Sequence, residues 1–494
     1  MLKRRDFLEA LGMLALSPYA CAQDERPIAS TVVNDIHSRL NPTQVAEVVF
    51  PASEDAVREA VRSGRHAGRA LSIAAGRHAM GGQQFGTDTL LVDLSNLNRV
   101  LGFDPEHGRI EVEAGIQWPE LLRHYLDAQS GRALQWGIAQ KQTGADRLSM
   151  GGALAANAHG RGLAMKPFIS DVESFVLVDA AGDSRRCSRT ENAELFRLVA
   201  GGYGLFGVVT SLTLRLVPRT KLERVVEVRS TDGLMEAVEQ RVADGFLYGD
   251  FQFAIDPTAD NFLREGVFSC YRPVDPATPI PEGQRALSEE DWRELLRMTH
   301  TDKSRAFDRY ASHYMATSGQ IYWSDTHQMG FYLDDYHRSL DRTLGAADPA
   351  TEIITEVYVP RPSLTNFLND VRDEFRQNGV SIIYGTIRLI ERDDECFLTW
   401  AKDRYACIIF NLHTAHTPEG LERSAHAFRA LIDKASSRGG SYFLTYHRYA
   451  RRDQVEACYP QFTRFLRRKR EHDPDERFQS DWYRHYRKMF ADVL

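Results

Sequence analysis

The sequence predicts an α+β protein of two packed units, the first mixing strands and helices and the second built on an antiparallel sheet. Three observations predict it. The chain has 494 residues, too many for one small core. Between Val48 and Pro218, short apolar runs alternate with helix-length stretches. From Ile353 to His447 the pattern reads strand, helix, strand, strand, helix, strand. That order lays helices on one side of an antiparallel sheet and leaves the other side free to cover something.

Taken in order, Leu90–Leu94 is a continuous apolar run and reads as a buried strand, while Arg109–Glu113 alternates as a half-exposed strand should. Phe175–Asp179 and Ser184–Ser188 flank the turn Ala180-Ala181-Gly182-Asp183 and read as a hairpin. Glu191–Val199 reads as a helix stopped by Gly201-Gly202, and Val208–Val217 as the next strand. The stretch from Thr220 to Ala347 has no clear period, and Pro273–Pro281 reads as a loop. Beyond it, Ile353–Val359, Val380–Ile390, Tyr405–Leu412 and Tyr442–His447 are expected strands. Ser363–Gln377 and Leu421–Ala435 are expected helices, and Tyr459–Leu494 is largely helical.

Composition excludes some classes. A hydrophobic fraction of 43% with 26% charged residues is ordinary for a globular enzyme, and a net charge of −7 argues against a nucleic-acid partner, which needs a cationic excess. After Ala22 no run of eighteen or more apolar residues occurs, so no stable membrane insertion of the mature chain is expected. Cys187, Cys270, Cys396, Cys407 and Cys458 lack zinc-type spacing, so no metal site is expected from them, and a disulfide framework is not expected either. At the N-terminus, Lys3-Arg4-Arg5-Asp6-Phe7-Leu8 precedes the apolar stretch Leu11–Ala20 and the small-residue site Ala20-Cys21-Ala22. This reads as a signal peptide over 1–22, and the paired arginines resemble a twin-arginine export signal, which carries folded, cofactor-loaded proteins to the periplasm or beyond.

The most informative stretch is Ser72-Ile73-Ala74-Ala75-Gly76-Arg77-His78-Ala79-Met80-Gly81-Gly82-Gln83. Its small residues let backbone approach a diphosphate closely, although it lacks the G-x-G-x-x-G spacing and the acidic residue of a Rossmann turn. Val112–Trp118, Ser149–Gly160 and Glu194–Val209 follow it, the third carrying Gly201-Gly202-Tyr203-Gly204-Leu205-Phe206-Gly207-Val208-Val209. In order and spacing, these segments resemble the FAD-binding domain of the vanillyl-alcohol oxidase and p-cresol methylhydroxylase superfamily. The resemblance covers about residues 40–220 and returns at 441–482, where Phe443–His447, Tyr459-Pro460, His472-Asp473-Pro474 and Phe478–Asp481 look like the tails of cytokinin dehydrogenase and decaprenylphosphoryl-ribose oxidase.

The resemblance implies a two-part PCMH-type FAD-binding domain at 23–222, an antiparallel-sheet substrate (cap) domain at 223–450, and a segment at 451–494 that returns to the first domain. It implies FAD held by Ala75, Gly76, Arg77, His78, Ala79, Gln83, Ser149, Gly151, Gly152, Asn157, His159 and Gly160, with Gly207, Val208 and Val209 at the adenine end. His78 stands where many relatives bond the flavin covalently, or else it only hydrogen-bonds in its loop. His159 either meets the flavin or supports the turn. With no cysteine between Gln135 and Gly162, a second, cysteinyl bond is not expected.

Alternation puts Tyr384, Thr386 and Arg388 on one face of their strand and Tyr405, Cys407, Ile409 and Asn411 on one face of the next. A buried Arg388 needs a partner or an anionic or hydroxyl-rich ligand. In sugar-alcohol oxidases an arginine at the corresponding place meets substrate with a glutamate two residues before it; Thr386 stands there instead, against a simple polyol. Tyr446 and His447 resemble the place of a flavin-proximal lysine, which implies a tyrosine that donates a hydrogen bond and a histidine that accepts the substrate hydroxyl proton, or else two rings that only pack. The activity implied is hydride removal from a hydroxyl-bearing sugar-like or aryl compound, with O2 or another acceptor reoxidising the flavin. Amine oxidation of the cytokinin-dehydrogenase type is the rival chemistry, and a non-catalytic flavin-fold binding protein the rival class. A nicotinamide-dependent reductase ranks last for an exported protein. Export is checked by replacing Arg4→Lys together with Arg5→Lys, which should leave the precursor inside the cell; an unchanged periplasmic yield would discard the twin-arginine assignment.

Overall fold

The computed structural model describes residues 31–142, 144–330, 333 and 336–494, so the export signal expected over 1–22 lies outside the described residues. The chain opens on a small parallel sheet of β1 (Glu47–Val49), β2 (Leu71–Ala74) and β3 (Leu90–Asp93), with β3 in the middle. Helix α1 (Glu54–His66) connects β1 to β2. Ser53 caps it by accepting from the Ala56 N–H at 3.2 Å, and Val57 and Val61 are buried in one cluster with Leu71, Leu90 and Val92. Leu91, on the opposite face of β3, is buried in another cluster with Val33, Val45 and Phe85, so β3 is covered on both sides and reads as an unbroken apolar run.

A five-stranded antiparallel sheet follows, built from β4 (Val100–Asp104), β5 (Arg109–Glu113), β6 (Val172–Val178), β7 (Ser184–Ser188) and β8 (Val208–Arg215) in the order β7-β6-β8-β5-β4. Helices α2 (Trp118–Ala128), α3 (Met150–Ala156) and α4 (Ala193–Val199) pack with it.

Sequence periodicity missed four strands in the segment after Thr220. β9 (Lys221–Ser230), β10 (Tyr248–Phe253), β11 (Glu265–Pro273) and β12 (Ile321–Trp323), with helices α5 (Leu234–Ala243), α6 (Glu289–Thr301), α7 (Lys303–Met315) and α8 (Tyr336–Leu344), belong to the same sheet as the elements that follow. Those are β13 (Ala350–Pro360), α9 (Leu364–Gln377), β14 (Ile382–Ile390), β15 (Tyr405–Ala415), α10 (Pro418–Ser436) and β16 (Ser441–Tyr442). The sheet has eight strands in the order β12-β9-β11-β10-β14-β15-β13-β16.

Its register defines two faces. Phe251, Ile387, Ile408 and Val357 form one row across β10, β14, β15 and β13, and this apolar face packs on α9 and α10. The other face carries Gln252, Thr386, Ile409 and Glu356 in one row and Arg388, Cys407 and Tyr358 in the next. A bulge between Ile382 and Tyr384 leaves the Tyr384–Thr386–Arg388 alternation intact.

The strand expected over Tyr442–His447 stops at Tyr442. Its last ladder bond is donated by the Phe443 N–H to the Glu356 carbonyl at 3.0 Å. Beyond that the backbone turns toward the first unit: the Leu444 carbonyl accepts from Gln83 Nε2 at 2.8 Å and the Thr445 carbonyl from the Met80 N–H at 3.2 Å. Tyr446 and His447 therefore sit in a turn.

Three helices, α11 (Arg452–Cys458), α12 (Phe462–His472) and α13 (Asp481–Met489), end the chain. Leu71 on β2 donates to the Arg477 carbonyl at 2.7 Å and accepts from the Gln479 N–H at 2.8 Å, so the tail adds a bridge to the first sheet. The Trp482 ring, fully buried, lies 5.0 Å from Tyr203 and 4.7 Å from Tyr486. No helix among the described residues is long and apolar enough to cross a membrane.

Candidate active site

A cleft of about 190 Å³ runs between the first unit and the polar face of the large sheet. Its walls are mostly small side chains and backbone: Ala74, Ala75, Gly76 and Ala79 from the loop after β2, Gly151, Gly152 and Ala155 from α3, and Gly204 and Gly207 before β8. Larger groups close it from the cap side, namely Ile354, Phe443, Thr445 and Tyr446.

The loop after β2 is held in an unusual conformation. Arg77 has φ of 55°, in the left-handed region that non-glycine residues rarely enter, and its guanidinium is tied to the buried Asp93 at 2.6 Å. The Arg77 carbonyl accepts from the Ile36 N–H at 3.1 Å. This clamp sets His78 against the N-terminal strap, where His78 Nδ1 and His37 Nε2 are 2.7 Å apart. Burial, and then the neighbouring His37, hold the His78 pKa well below the usual histidine value, so its imidazole is neutral at neutral pH. Gly207 requires its lack of a side chain: its φ is 147°, and a Cβ there would stand 2.5 Å from the Val178 carbonyl oxygen.

Of the residues that the sequence singled out for FAD, Ala75, Gly76, Arg77, His78, Ala79, Gln83, Ser149, Gly151, Gly152, Gly207 and Val209 line the cleft. Asn157, His159, Gly160 and Val208 do not, and each has another task. Asn157 ends α3 with φ of 48°, bonds Asp393 Oδ2 at 3.0 Å, and accepts from the Ile169 N–H at 2.9 Å. Gly160 accommodates the Lys141 carbonyl, which a Cβ would approach to 2.8 Å. Val208 is buried with Val57 and Val178.

His159 points to the cap instead. Its Nε2 lies 2.6 Å from Glu356 Oε1, with both side chains fully buried, and the other carboxylate oxygen accepts from Tyr446 Oη at 3.2 Å. Burial alone raises the Glu356 pKa, but the His159 charge and hydrogen bond hold it below the ordinary carboxylate value. Burial and the adjacent Glu356 push the Tyr446 phenol well above its usual pKa. Sequence reasoning missed Glu356. The available signal was an acidic residue in the middle of the apolar run Ile353–Val359, a position that only a paired charge tolerates.

Tyr446 lines the cleft and His447 does not; the His447 ring stacks on Tyr449 with centroids 5.2 Å apart. Arg388 lies on the same sheet face as Glu356, two strands away, with Nε and Nη1 buried and without hydrogen-bond partners. It does not line the cleft; it borders a separate void of about 10 Å³ beside Asp250 and Leu163. The same face holds further buried polar atoms without partners, on Gln252, Ser269, Thr386, Asn411 and Tyr358. In the cleft itself the buried Gln84 Oε1 and Gln142 Oε1 are likewise unpartnered. Such atoms each cost about 1–3 kcal/mol unless a ligand or water meets them. An extended cleft walled by small residues, with unmet acceptors along it, fits a dinucleotide.

The cleft fits a nucleotide cofactor, and residues that follow the eight-stranded antiparallel sheet or lie on it form one of its walls. Residues 45–188 match the FAD binding domain family. The chain is 24% identical over 443 residues to L-gulono-1,4-lactone dehydrogenase of Mycobacterium tuberculosis, covering 88% of this chain and 95% of the relative. It is 28% identical over 218 residues to an uncharacterized oxidoreductase of the fasciation locus of Rhodococcoides fascians, covering 44% of this chain and 48% of that one. The solved structure of a chitooligosaccharide oxidase superposes with a TM-score of 0.60 at 15% identity, covering 91% of this chain and 93% of the other, and shares the fold. These similarities support the resemblance of the chain to the vanillyl-alcohol oxidase and p-cresol methylhydroxylase superfamily of FAD-linked oxidoreductases.

The described cysteines are all buried and free. Burial holds His37 and His447 at pKa values of about 4, only partly opposed by Asp35. In the unfolded chain each titrates near ~6.5. As pH falls through that value the unfolded state binds protons that the native state refuses, so stability is fully present above about pH 6.5 and declines toward pH 4. The loss is up to roughly 3 kcal/mol for each imidazole. His447→Phe keeps the stacking ring and should flatten the fall in unfolding free energy over that window, measured by denaturant titration at several pH values; a slope equal to wild type would refute the assignment.

Proposed function

We propose that the protein oxidises a hydroxyl-bearing carbon of a sugar-derived compound, a lactone or lactol being the preferred class, with FAD bonded to His78. The observation that carries this reading is the buried polar face of the cap sheet. Arg388, Thr386, Gln252 and Asn411 present unmet hydrogen-bonding atoms beside the Glu356–Tyr446 pair, and a hydroxyl-rich ligand satisfies such a surface. The names of the relatives, a gulonolactone dehydrogenase and a chitooligosaccharide oxidase, agree with a sugar-like substrate.

FAD, when bound, supplies the two-electron acceptor. The chain's own residues do the rest. Tyr446 Oη, at the cleft wall, takes the hydrogen bond of the substrate hydroxyl, and its own proton is oriented toward Glu356 Oε2. Glu356, held ionised by His159, accepts the Tyr446 proton as Tyr446 takes the hydroxyl proton, so the proton leaves the substrate oxygen and ends on the buried carboxylate as hydride departs from carbon. Arg388, on the same sheet face as Glu356 and with unmet donors, would meet substrate oxygens that reach that face.

With sugar lactones, lactols and polyols as the panel, anaerobic stopped-flow mixing should bleach the flavin. Tyr446→Phe should slow reduction by about 10²- to 10⁴-fold at unchanged flavin content, and Arg388→Ala should raise the half-saturating substrate concentration. If no member of the panel reduces the wild type, the substrate class is wrong; if both variants reduce at the wild-type rate, the site is wrong.

The His78 imidazole, neutral at neutral pH and set in its loop beside the Arg77–Asp93 clamp, lies at the cleft wall where a flavin bond could form. Acid precipitation of the wild type should leave yellow flavin in the pellet, and His78→Ala should release it. Complete release from fully loaded wild type would rule out the bond.

A further inference from the structure

Four residues before Glu356, on the same face of β13, a second buried carboxylate sits among imidazoles. Glu352 lies directly opposite His413 on β15; His300 reaches it from the last turn of α6, and His337 from α8. The Glu352 and His300 side chains are each 6% exposed, and His413 is 30% exposed.

The two carboxylate oxygens have different surroundings. Oε2 is satisfied, accepting from Tyr336 Oη and lying 2.8 Å from His337 Nδ1. Oε1 lies 3.6 Å from His300 Nε2 and 3.7 Å from His413 Nδ1. Both separations exceed a hydrogen bond, and all three atoms are buried without a hydrogen-bond partner. They nevertheless converge, each within 4.8 Å of the others. Four-coordinate zinc with bonds of about 2.0–2.1 Å sets neighbouring ligand atoms about 3.3–3.4 Å apart, close to the spacing observed.

We propose that His300 Nε2, Glu352 Oε1 and His413 Nδ1 bind a divalent transition-metal cation of the zinc class, with water completing the fourth position. Two imidazoles and one carboxylate suit zinc rather than calcium or magnesium, which prefer all-oxygen shells. His337 and Tyr336 orient the carboxylate through its other oxygen, the usual arrangement around a ligating group. The cluster His159, Glu356 and Cys407 also falls within ligand reach of itself, but there the histidine and carboxylate have closed to 2.6 Å and bond each other directly. The cation site lies about 13 Å along the strand from Glu356, taking ~3.3 Å per residue, and does not depend on the proposed substrate or on the His78 bond.

The test uses full-length, flavin-loaded, tag-free protein stripped with a chelator and titrated with Zn²⁺ alone, read by calorimetry and elemental analysis, and with Co²⁺, read by its visible d–d bands. One equivalent should bind per chain, with the Co²⁺ spectrum of a four-coordinate site. Glu352→Gln and His413→Asn should abolish it, and His337→Ala should weaken it by about 10- to 100-fold. Flavin content reports the fold; should Glu352→Gln fail to retain flavin, the half-buried His413→Asn decides. Absence of saturable binding to wild type, or one equivalent retained by His413→Asn, overturns the proposal.

Discussion

The architecture depends on one buried ion-pairing contact, that of Glu356 with His159. The two residues are 197 positions apart, one on β13 of the large sheet and one in the turn after α3, and neither side chain touches solvent. A carboxylate taken out of water costs several kcal/mol that only a well-placed partner offsets, and removing one member of such a pair typically costs about 3–5 kcal/mol. Glu356 can therefore occupy β13 only if the first unit delivers His159 to it. The contact fixes how the cap seats over the cleft, and with that seating it places Tyr446, the third member, at the cleft wall.

The same logic distinguishes the two faces of the large sheet. On one, Phe251, Ile387, Ile408 and Val357 meet the helices and contribute ordinary hydrophobic stability. On the other, Arg388, Thr386, Gln252 and Asn411 are buried with hydrogen-bonding capacity left over. A sheet selected for stability alone would not carry these groups, since each is destabilising when unmet. Their placement on a single face, with apolar residues on the other, leaves that face with hydrogen-bonding capacity that a polar ligand could meet.

Much of this was legible in the sequence where the determinants are local. The loop around Gly76 and the turn at Gly207 are read from small residues, because close backbone approach can be met only by omitting side chains. The strands β13, β14 and β15 are read from their apolar runs. What was not legible is tertiary. The segment Tyr442–His447 has the composition of a strand, yet Gln83 and Met80 capture the carbonyls of Leu444 and Thr445, so the backbone leaves the sheet and Tyr446 turns inward. β9 was hidden because its run Lys221-Leu222-Glu223-Arg224 interleaves charges that Tyr271, Thr317 and Arg272 satisfy only in the folded sheet. Asn157 and His159 belong to the motif by position, but their side chains serve Asp393 and Glu356, partners 236 and 197 residues distant.

Glu352 and Glu356 offer an internal comparison, since they share a strand, a face and nearly complete burial. Where a single imidazole faces the carboxylate, the two have closed to 2.6 Å and the charge is met by a proton between them. Where two imidazoles face the same oxygen, neither has closed, and they stand at 3.6 and 3.7 Å. Packing alone does not account for the difference, because Tyr336 and His337 already crowd the other oxygen of Glu352 and fix its orientation. Two imidazole nitrogens and one carboxylate oxygen, each within 4.8 Å of the others, offer three ligand atoms to a positive charge placed among them. A proton can serve only one pair at a time, whereas a divalent cation serves all three together, and the geometry around Glu352 matches the second arrangement.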